Sequence, residues 1–183
     1  MPSENQKWEA LTKESILIKK PWFEVHCESV RLPDGEVIPE YYGIKMPHYA
    51  SVFAVTEDQK IMVLRCYRHG IGEVTLTMPG GMIEEGESPL EGIQREFLEE
   101  TGYVASEWKS LGSFMGNSTR GCGTYYLFFA NGAYSVQEPD SGDLEDLELL
   151  LWSQEEVEQA VDERKAMSLG VLSMLLLGLR CLK

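Results

Sequence analysis

The sequence is poor in the residues that build zinc sites and disulfide frameworks. Its 183 residues include four cysteines and three histidines, and no two cysteines form a C-x-x-C pair. The cysteines are Cys27, Cys66, Cys122 and Cys181. This wide spacing argues against a Cys/His zinc site and against a small disulfide-stapled fold. We therefore expect a reducing, cytoplasmic location.

Positive charge is also scarce, and long apolar runs are missing. Lys and Arg number 16 against 30 Asp and Glu, which gives a formal net charge of −14. Such a balance disfavours nucleic acid and anionic membrane surfaces as partners. The longest apolar stretch, residues 169–182, contains Arg180 and falls short of the roughly 20 residues that span a bilayer. Residues 1–14 are polar and lack the apolar core of a signal peptide.

The remaining composition is that of a globular chain. Hydrophobic residues make up 43% of it, enough for one sizeable core, and we expect one compact unit. Short β-rich runs separated by turn signals such as Pro33-Asp34-Gly35 predict antiparallel hairpins. The predicted strands are 15–19, 23–32, 36–45, 50–56, 61–67, 108–115, 124–130 and 147–152, and two C-terminal helices are predicted at 153–163 and 168–181. This mixture indicates an α+β fold.

A further helix is predicted in the middle of the chain, at residues 89–101. Ser88 is a favourable N-cap, Pro89 suits the first helical position, and Glu91 completes an S-x-x-E capping box. Gly102 is a natural C-terminal stop.

The predicted helix gathers acidic side chains on one face. Successive residues of a helix are rotated by about 100°. This rotation places three carboxylates on one face beside Gly92, which has no side chain; they are Glu96, Glu99 and Glu100. The apolar side, predicted to pack on a sheet, comprises Leu90, Ile93 and Phe97. Like charges at this spacing repel one another, so the cluster needs either solvent or cations. Hard oxygen ligands suit magnesium or manganese; a solvated acidic face is the alternative for these residues taken alone.

The surrounding residues resemble the Nudix box, G-x5-E-x7-R-E-U-x-E-E-x-G-U. Residues 81–103 match each fixed position of that pattern, namely Gly81, Glu87, Arg95, Glu96, Glu99, Glu100 and Gly102. Aromatic Phe97 and Tyr103 occupy positions where the pattern usually has aliphatic residues. The spacing of these residues is highly specific, and the chain is similar to Nudix hydrolases.

The resemblance implies roles for the matched residues in a magnesium site, with manganese as a substitute metal. It makes Glu96 and Glu100 the principal metal ligands and Glu99 a further ligand or a base. The backbone carbonyl of Gly80 is expected as another ligand. Arg95 is expected to orient the carboxylates through ion pairs with Glu87 or Glu99.

Beyond the box, the chain resembles the ADP-ribose pyrophosphatase, or nucleoside-diphosphate-sugar, branch of the family. Three features carry this likeness: a strand-rich extension at residues 1–45, the run from Leu64 to Arg68, and the apolar C-terminal helix. The resemblance implies a Nudix-type α/β/α sandwich with a mixed β-sheet over residues 46–183. It also implies that the N-terminal antiparallel extension contributes to a homodimer.

The same resemblance implies magnesium-dependent hydrolysis of the diphosphate linkage of ADP-ribose or another nucleotide sugar. The products would be a nucleoside monophosphate and a sugar phosphate. Arg68 is the candidate phosphate contact, with an ordinary surface arginine as the alternative, and Glu145 is a candidate base beside Glu99. Thr77 stands where this branch often has Glu, and residues 116–123 lack a proline common in ADP-ribose hydrolases.

Other readings of the family resemblance stay open. A house-cleaning nucleoside-triphosphate pyrophosphohydrolase and a non-catalytic nucleotide-binding Nudix module share the fold. An isomerase of the isopentenyl-diphosphate type is disfavoured because it needs a histidine-rich metal site and the chain has three histidines.

Overall fold

The computed structural model describes residues 7–142, 146–163, 165 and 168–182. Its strands are β1 (Glu9–Lys19), β2 (Phe23–Arg31), β3 (Val37–Lys45), β4 (Tyr49–Thr56), β5 (Ile61–Arg68), β6 (Glu73–Thr77), β7 (Gly80–Met82), β8 (Tyr103–Asn117), β9 (Cys122–Ser135) and β10 (Glu148–Trp152). Its helices are α1 (Pro89–Thr101), α2 (Gln154–Asp162) and α3 (Leu169–Leu179). None of the helices in the described ranges is long and apolar enough to cross a membrane.

The first of two compact units contains the chain up to His48 together with Met115–Thr124. Its sheet has the order β1-β2-β3, and both pairings are antiparallel, as the hairpin signals predicted. In register, Glu14 pairs with Cys27, which in turn pairs with Tyr42. Every residue of β1 is exposed. This strand therefore contributes backbone pairing to the sheet while leaving its side chains outside a core.

The second unit contains Tyr49–Phe114 and the chain from Tyr125 onward. Its sheet follows the order β10-β5-β4-β9-β8, with β6 paired to β5 and β7 paired to β4. Strands β4 and β9 run parallel, whereas β5 pairs antiparallel with β6 and β10, so the sheet is mixed. Residues 52–56 of β4 are all buried, as expected for a central strand covered on both faces.

Helices cover both faces of this sheet. On one face Phe53 and Val63 pack with Val157 of α2 and Met174 of α3. On the other face the buried cluster includes residues of the sheet and of α1, comprising Val52, Ala54, Met62, Ile93, Phe97 and Phe128. Burial of this much apolar surface is the main force holding the layers together. The predicted α/β/α sandwich with a mixed sheet is confirmed.

Differences from the predicted elements have simple physical reasons. Strand β1 begins at Glu9 rather than at residue 15, because its polar N-terminal half pairs with β2 without burying side chains. Strands β6 and β7 were not predicted, and β7 lies in a Pro-Gly-Gly stretch typical of a loop. Leu90 remains 38% exposed in the first turn of α1, so its predicted packing on the sheet is wrong, whereas Ile93 and Phe97 are fully buried.

Candidate active site

Helix α1 is fixed at both ends by its own sequence. The Ser88 side chain accepts the Glu91 backbone N–H at 3.3 Å, and the Glu91 carboxylate accepts the Ser88 backbone N–H at 2.8 Å. At the other end Gly102 adopts a left-handed conformation with φ 73°, and its N–H donates to the Leu98 carbonyl at 2.8 Å. The capping box and the glycine stop predicted from the sequence are both present, so the acids have fixed positions along the helix.

The segment after β9 also holds the C-terminal end of α1. The backbone N–H of Asp140 donates to the Glu99 carbonyl at 2.8 Å, and that of Val136 donates to the Gly102 carbonyl at 2.9 Å. A Cβ at Gly102 would overlap the Gln137 carbonyl. These bonds satisfy carbonyls that a helix end leaves without an intrahelical partner. Backbone hydrogen bonds from Val136 and Asp140 therefore fix the C-terminal end of α1.

Arg95 is the centre of a polar network on α1. Its Nε and Nη2 donate to the two carboxylate oxygens of Glu87 at 2.7 and 3.0 Å. Its Nη1 donates to Glu96 Oε1 at 2.9 Å and to Glu99 Oε2 at 3.0 Å, and Nη2 also donates to the Met82 carbonyl at 3.0 Å. A guanidinium has five N–H donors in a planar fork, so this set uses its full capacity.

The network shifts the proton affinity of its members in the directions expected for paired charges. Hydrogen bonding to Glu87, followed by Glu96 and Glu99, raises the pKa of Arg95 although partial burial opposes the shift. Hydrogen bonding from Arg95, assisted by the backbone N–H of Glu84, lowers the pKa of Glu87. Both groups are therefore charged at neutral pH, and Arg95 holds three carboxylates around one cation.

The strand β7 brings backbone against the remaining acid. The N–H of Gly80 donates to Glu100 Oε2 at 2.7 Å, and Glu100 is only 6% exposed. Gly80 has φ 150°, and a Cβ there would overlap the Ala50 carbonyl. Pairing of Ala50 with Gly81 and of Ser51 with Gly80 sets this position of β7 on β4.

Gly81 leaves room for a carboxylate of α1. A Cβ at this position would overlap the carboxylate of Glu96. Gly92 has a similar role toward Glu87, since a Cβ there would lie 3.1 Å from Glu87 Oε2. Gly80 and Gly81 thus form a cradle, the Gly80–Gly81 cradle, in which the carboxylates of Glu100 and Glu96 lie directly against backbone. The Gly80 N–H contact and the Gly81 clearance were not predicted, because they join residues 15 or more positions apart whose contact depends on β7 pairing.

The donor set fits a hard divalent cation. Carboxylate oxygens at Glu96, Glu99 and Glu100, together with the Gly80 carbonyl, are the ligand type that magnesium and manganese prefer. Within the described part of the chain, no three His, Cys, Asp or Glu side chains converge on one coordination sphere. Glu96 and Glu99 accept bonds from Arg95, whereas Glu100 accepts the Gly80 N–H. The metal ligands stay a prediction.

The other predicted site residues, Arg68 and Glu145, belong to other segments of the chain. Arg68 ends β5, and its backbone carbonyl accepts N–H groups of Ile71 and Gly72. Arg65, three residues earlier, forms an exposed ion pair with Glu148 of β10. Glu145 lies outside the described residues, so its role as a base and the role of Arg68 as a phosphate contact stay predictions.

The chain is similar to known proteins in family, sequence and fold. A protein-family model described as NUDIX domain matches residues 46–169. An ADP-ribose pyrophosphatase of Bacillus subtilis is 32% identical over 57% of the chain, and the match covers 55% of that relative. A methanol dehydrogenase activator of Bacillus methanolicus is 28% identical over 78% of the chain and 77% of its own length.

A third sequence relative and a solved structure also match the chain. A CMP-5'-(N-acetyl-N-hydroxy-3-aminopropyl)phosphonate hydrolase of Streptomyces rubellomurinus is 27% identical over 69% of the chain and 61% of its own length. A crystal structure titled as an ADP compounds hydrolase superposes with a TM-score of 0.84 at 19% identity, covering 99% of the chain and 97% of that structure. The superposition supports the fold, and the sequence matches confirm the resemblance to the ADP-ribose pyrophosphatase-like branch.

Proposed function

Because the chain belongs to the Nudix family, we propose that it is a pyrophosphohydrolase that cleaves the diphosphate linkage of a nucleoside-diphosphate derivative. The preferred substrates are ADP-ribose or another nucleotide sugar, and the products are a nucleoside monophosphate and a sugar phosphate. The observation that carries the proposal is the network of Arg95 with three box carboxylates beside the Gly80–Gly81 cradle.

The acidic helix face would hold the metal through Glu96, Glu99, Glu100 and the Gly80 carbonyl. Magnesium, or manganese in its place, would offset the charge of the diphosphate and lower the pKa of a bound water. The carboxylates outnumber the one guanidinium in this network, so a diphosphate could approach only when cations balance the acids. This charge balance supports a metal-dependent rather than a metal-free reaction.

The chain's own residues divide the remaining work of the reaction. Arg95 positions the carboxylates of Glu96 and Glu99 through bonds of 2.9 and 3.0 Å, and Glu87 fixes the opposite side of its guanidinium. The side chain of Glu99 is 40% exposed, which makes it the most accessible proton acceptor in the network. Glu145 is the second candidate base, and Arg68 is the candidate contact for a substrate phosphate.

The sequence relatives support a nucleotide-sugar substrate. The relative with 32% identity carries the name ADP-ribose pyrophosphatase, although the match covers 55% of that protein. Thr77 stands at a position where that branch often has a carboxylate, and here its hydroxyl faces the Met78 carbonyl at 3.5 Å. A threonine cannot provide the charge of a glutamate, so nucleotide sugars other than ADP-ribose belong to the proposed substrates.

A substrate panel with product analysis tests the reaction and its substrate together. ADP-ribose, other nucleotide sugars and nucleoside triphosphates are incubated with magnesium or manganese, and products are separated by chromatography with mass detection. Nucleoside monophosphate plus sugar phosphate from a nucleotide sugar supports the proposal. Pyrophosphate release from triphosphates alone would instead support a house-cleaning enzyme, and binding without turnover would support a regulatory module.

The same proposal includes a homodimer formed through the N-terminal strands and a cytoplasmic location. Strand β1 and the turn after it expose apolar side chains, with Ile16 and Ile18 both 52% exposed and Trp22 64% exposed. Clustered apolar exposure of this kind marks interaction surfaces. The four cysteines, all among the described residues, form no disulfide, which is consistent with a reducing compartment.

Light scattering coupled to size exclusion tests the dimer. The wild-type chain is expected at twice the monomer mass, and Ile16→Glu combined with Ile18→Glu is expected at the monomer mass. Leu169→Glu, at a 79% exposed position of α3, is the matched control and should leave the mass unchanged. A monomeric wild-type chain would refute this part of the proposal.

A further inference from the structure

A cavity of about 410 Å³ lies wholly within the first unit. One wall is the sheet surface of β1, β2 and β3, and the other is the turn at residues 118–121. The side chains that decide its chemistry are Lys13, His26, Glu28, Tyr41, Lys45 and Arg120. None of these residues belongs to the acidic helix or to the Gly80–Gly81 cradle.

The cavity is locally positive in a chain whose net charge is −14. Three side-chain cations line it, whereas among its described lining residues Glu28 alone provides a carboxylate. That carboxylate already accepts Lys13 Nζ at 2.9 Å and lies 3.6 Å from His26 Nε2. Glu24 lies opposite Lys45 in the register of β2 and β3 and interacts with its charge. Within the described residues the three lining cations therefore face two acids, Glu28 in the lining and Glu24 beside it. A surplus of cations over acids favours an anionic ligand.

The walls of the cavity are held in place before any ligand arrives. The Tyr41 hydroxyl donates to the Thr119 carbonyl, and the Ile44 N–H donates to the Arg120 carbonyl at 2.8 Å. Arg120 Nη1 donates to the Tyr42 carbonyl at 2.9 Å, and its guanidinium carbon lies 5.9 Å from the centre of the Tyr41 ring. A site that is already ordered loses little conformational entropy on binding.

His26 is a lining residue with a closely packed ring. Its ring lies against Gly43, where a Cβ would overlap it, and its side chain is only 13% exposed. Within the described ranges, its Nδ1 is buried and has no hydrogen-bond partner. Native proteins rarely leave a buried polar atom unsatisfied. Because Nδ1 has no access to the cavity, a ligand there cannot bond to it, and His26 contributes a fixed ring to the lining.

We propose that this cavity binds the phosphomonoester group of a small metabolite. The fork of Arg120 matches phosphate oxygens, and Lys45 adds a flexible ammonium donor. Ser118 and Thr119 line the same wall. The volume exceeds that of a phosphate group alone, so a sugar or nucleoside can remain attached. Binding here needs no divalent cation and no hydrolysis, so its test is independent of the proposed catalytic function.

Nuclear magnetic resonance on the ¹⁵N-labelled full chain tests the site. Inorganic phosphate, ribose 5-phosphate and AMP are titrated in EDTA, which keeps metals from recruiting phosphate to the acidic helix; adenosine is the uncharged control. The backbone amides of Gly43 and Gly121 are expected to shift with each phosphate compound and not with adenosine. The relative Kd values of the three compounds identify the part of the metabolite attached to the phosphate.

Charge-removing variants connect the shifts to the cavity. Lys45→Gln and Arg120→Gln should each weaken phosphomonoester binding by about three- to fivefold, the range for one partly exposed ion pair. Arg65→Gln removes the same charge from the other unit and should leave Kd unchanged. Lys45 is exposed, so its variant remains informative even when Arg120→Gln disturbs the turn.

The proposal is overturned when no phosphate compound shifts the amide resonances of Gly43 or Gly121 at about 10 mM. A site with a Kd in the millimolar range would be largely occupied at that concentration. It is also overturned when Lys45→Gln binds as tightly as Arg65→Gln. Shifts confined to Gly80, Gly81 and Gly92 would place the phosphate at the acidic helix and would contradict the proposal equally.

Discussion

The substitution Gly81→Ala tests whether the glycine cradle positions a metal-binding carboxylate. A Cβ on residue 81 would overlap the carboxylate of Glu96, which is the end of a flexible side chain and can rotate away. Rotation breaks its 2.9 Å bond to Arg95. A partly exposed ion pair contributes about 1 kcal/mol or less to the free energy of unfolding. For a chain of this size that corresponds to a fall in Tm of about 2–4 °C.

The effect on metal affinity should be much larger than the effect on stability. Changing a residue that positions a metal ligand typically costs about 10–100-fold in affinity. Electron paramagnetic resonance of free Mn²⁺ measures this Kd directly and needs no substrate. Gly70→Ala is the matched control, because nothing lies within 4 Å of a Cβ at that position.

Two results would refute this reasoning about Gly81. Manganese affinity equal to that of Gly70→Ala would show that the Glu96 carboxylate does not depend on the cradle. A fall in Tm above about 10 °C, several times the value expected for one ion pair, would show that residue 81 is mainly a packing position.

Three further predictions concern the helix and its arginine. Arg95→Lys keeps the charge but loses the planar fork that holds Glu87, and should lower the free energy of unfolding by about 1.5–3 kcal/mol in urea denaturation; an unchanged midpoint would contradict this. The lowered pKa of Glu87 means that its bond to Arg95 stabilises the fold above pH 4.5 and that this stabilisation is lost as pH falls through the lower folded-state pKa. The Tm difference between wild type and Glu87→Gln should therefore be constant above pH 4.5 and shrink below it, and a difference that grows in acid would reverse the assigned sign. Ser88→Ala and Ser153→Ala each remove an N-cap and should each lower the free energy of unfolding by about 1 kcal/mol. Only Ser88→Ala, at the start of α1, should weaken Mn²⁺ binding. Equal metal affinities in the two variants would contradict the role of α1.

The α1 helix could be predicted closely because its signals are local. Ser88, Glu91 and Gly102 define both ends through contacts within four residues, and the structure has the helix at Pro89–Thr101. The family resemblance implied ion pairs of Arg95 with Glu87 or Glu99, and both pairs are present, at 2.7 and 3.0 Å. The short-range geometry of the second pair follows directly from helix periodicity.

Features that depend on pairing between distant segments could not be predicted in the same way. Strand β7 consists of Gly80–Met82, and glycine has a low strand propensity; its conformation depends on pairing with β4. The Gly80 N–H bond to Glu100 and the clearance at Gly81 depend on that pairing. The N-terminal half of β1 lacks alternation of polar and apolar residues, so its first residues gave no strand signal.

The proposed chemistry is tested most directly by following the products of nucleotide-sugar hydrolysis in wild type and Glu100→Gln. Wild type is expected to release a nucleoside monophosphate and a sugar phosphate with millimolar magnesium, and to lose this activity in EDTA. Glu100→Gln should lose most of the activity while remaining folded, because glutamine keeps an oxygen that can accept the Gly80 N–H but removes the charge that a metal needs. Full activity in Glu100→Gln, or no hydrolysis of any diphosphate compound by wild type with magnesium or manganese, would contradict the proposed function.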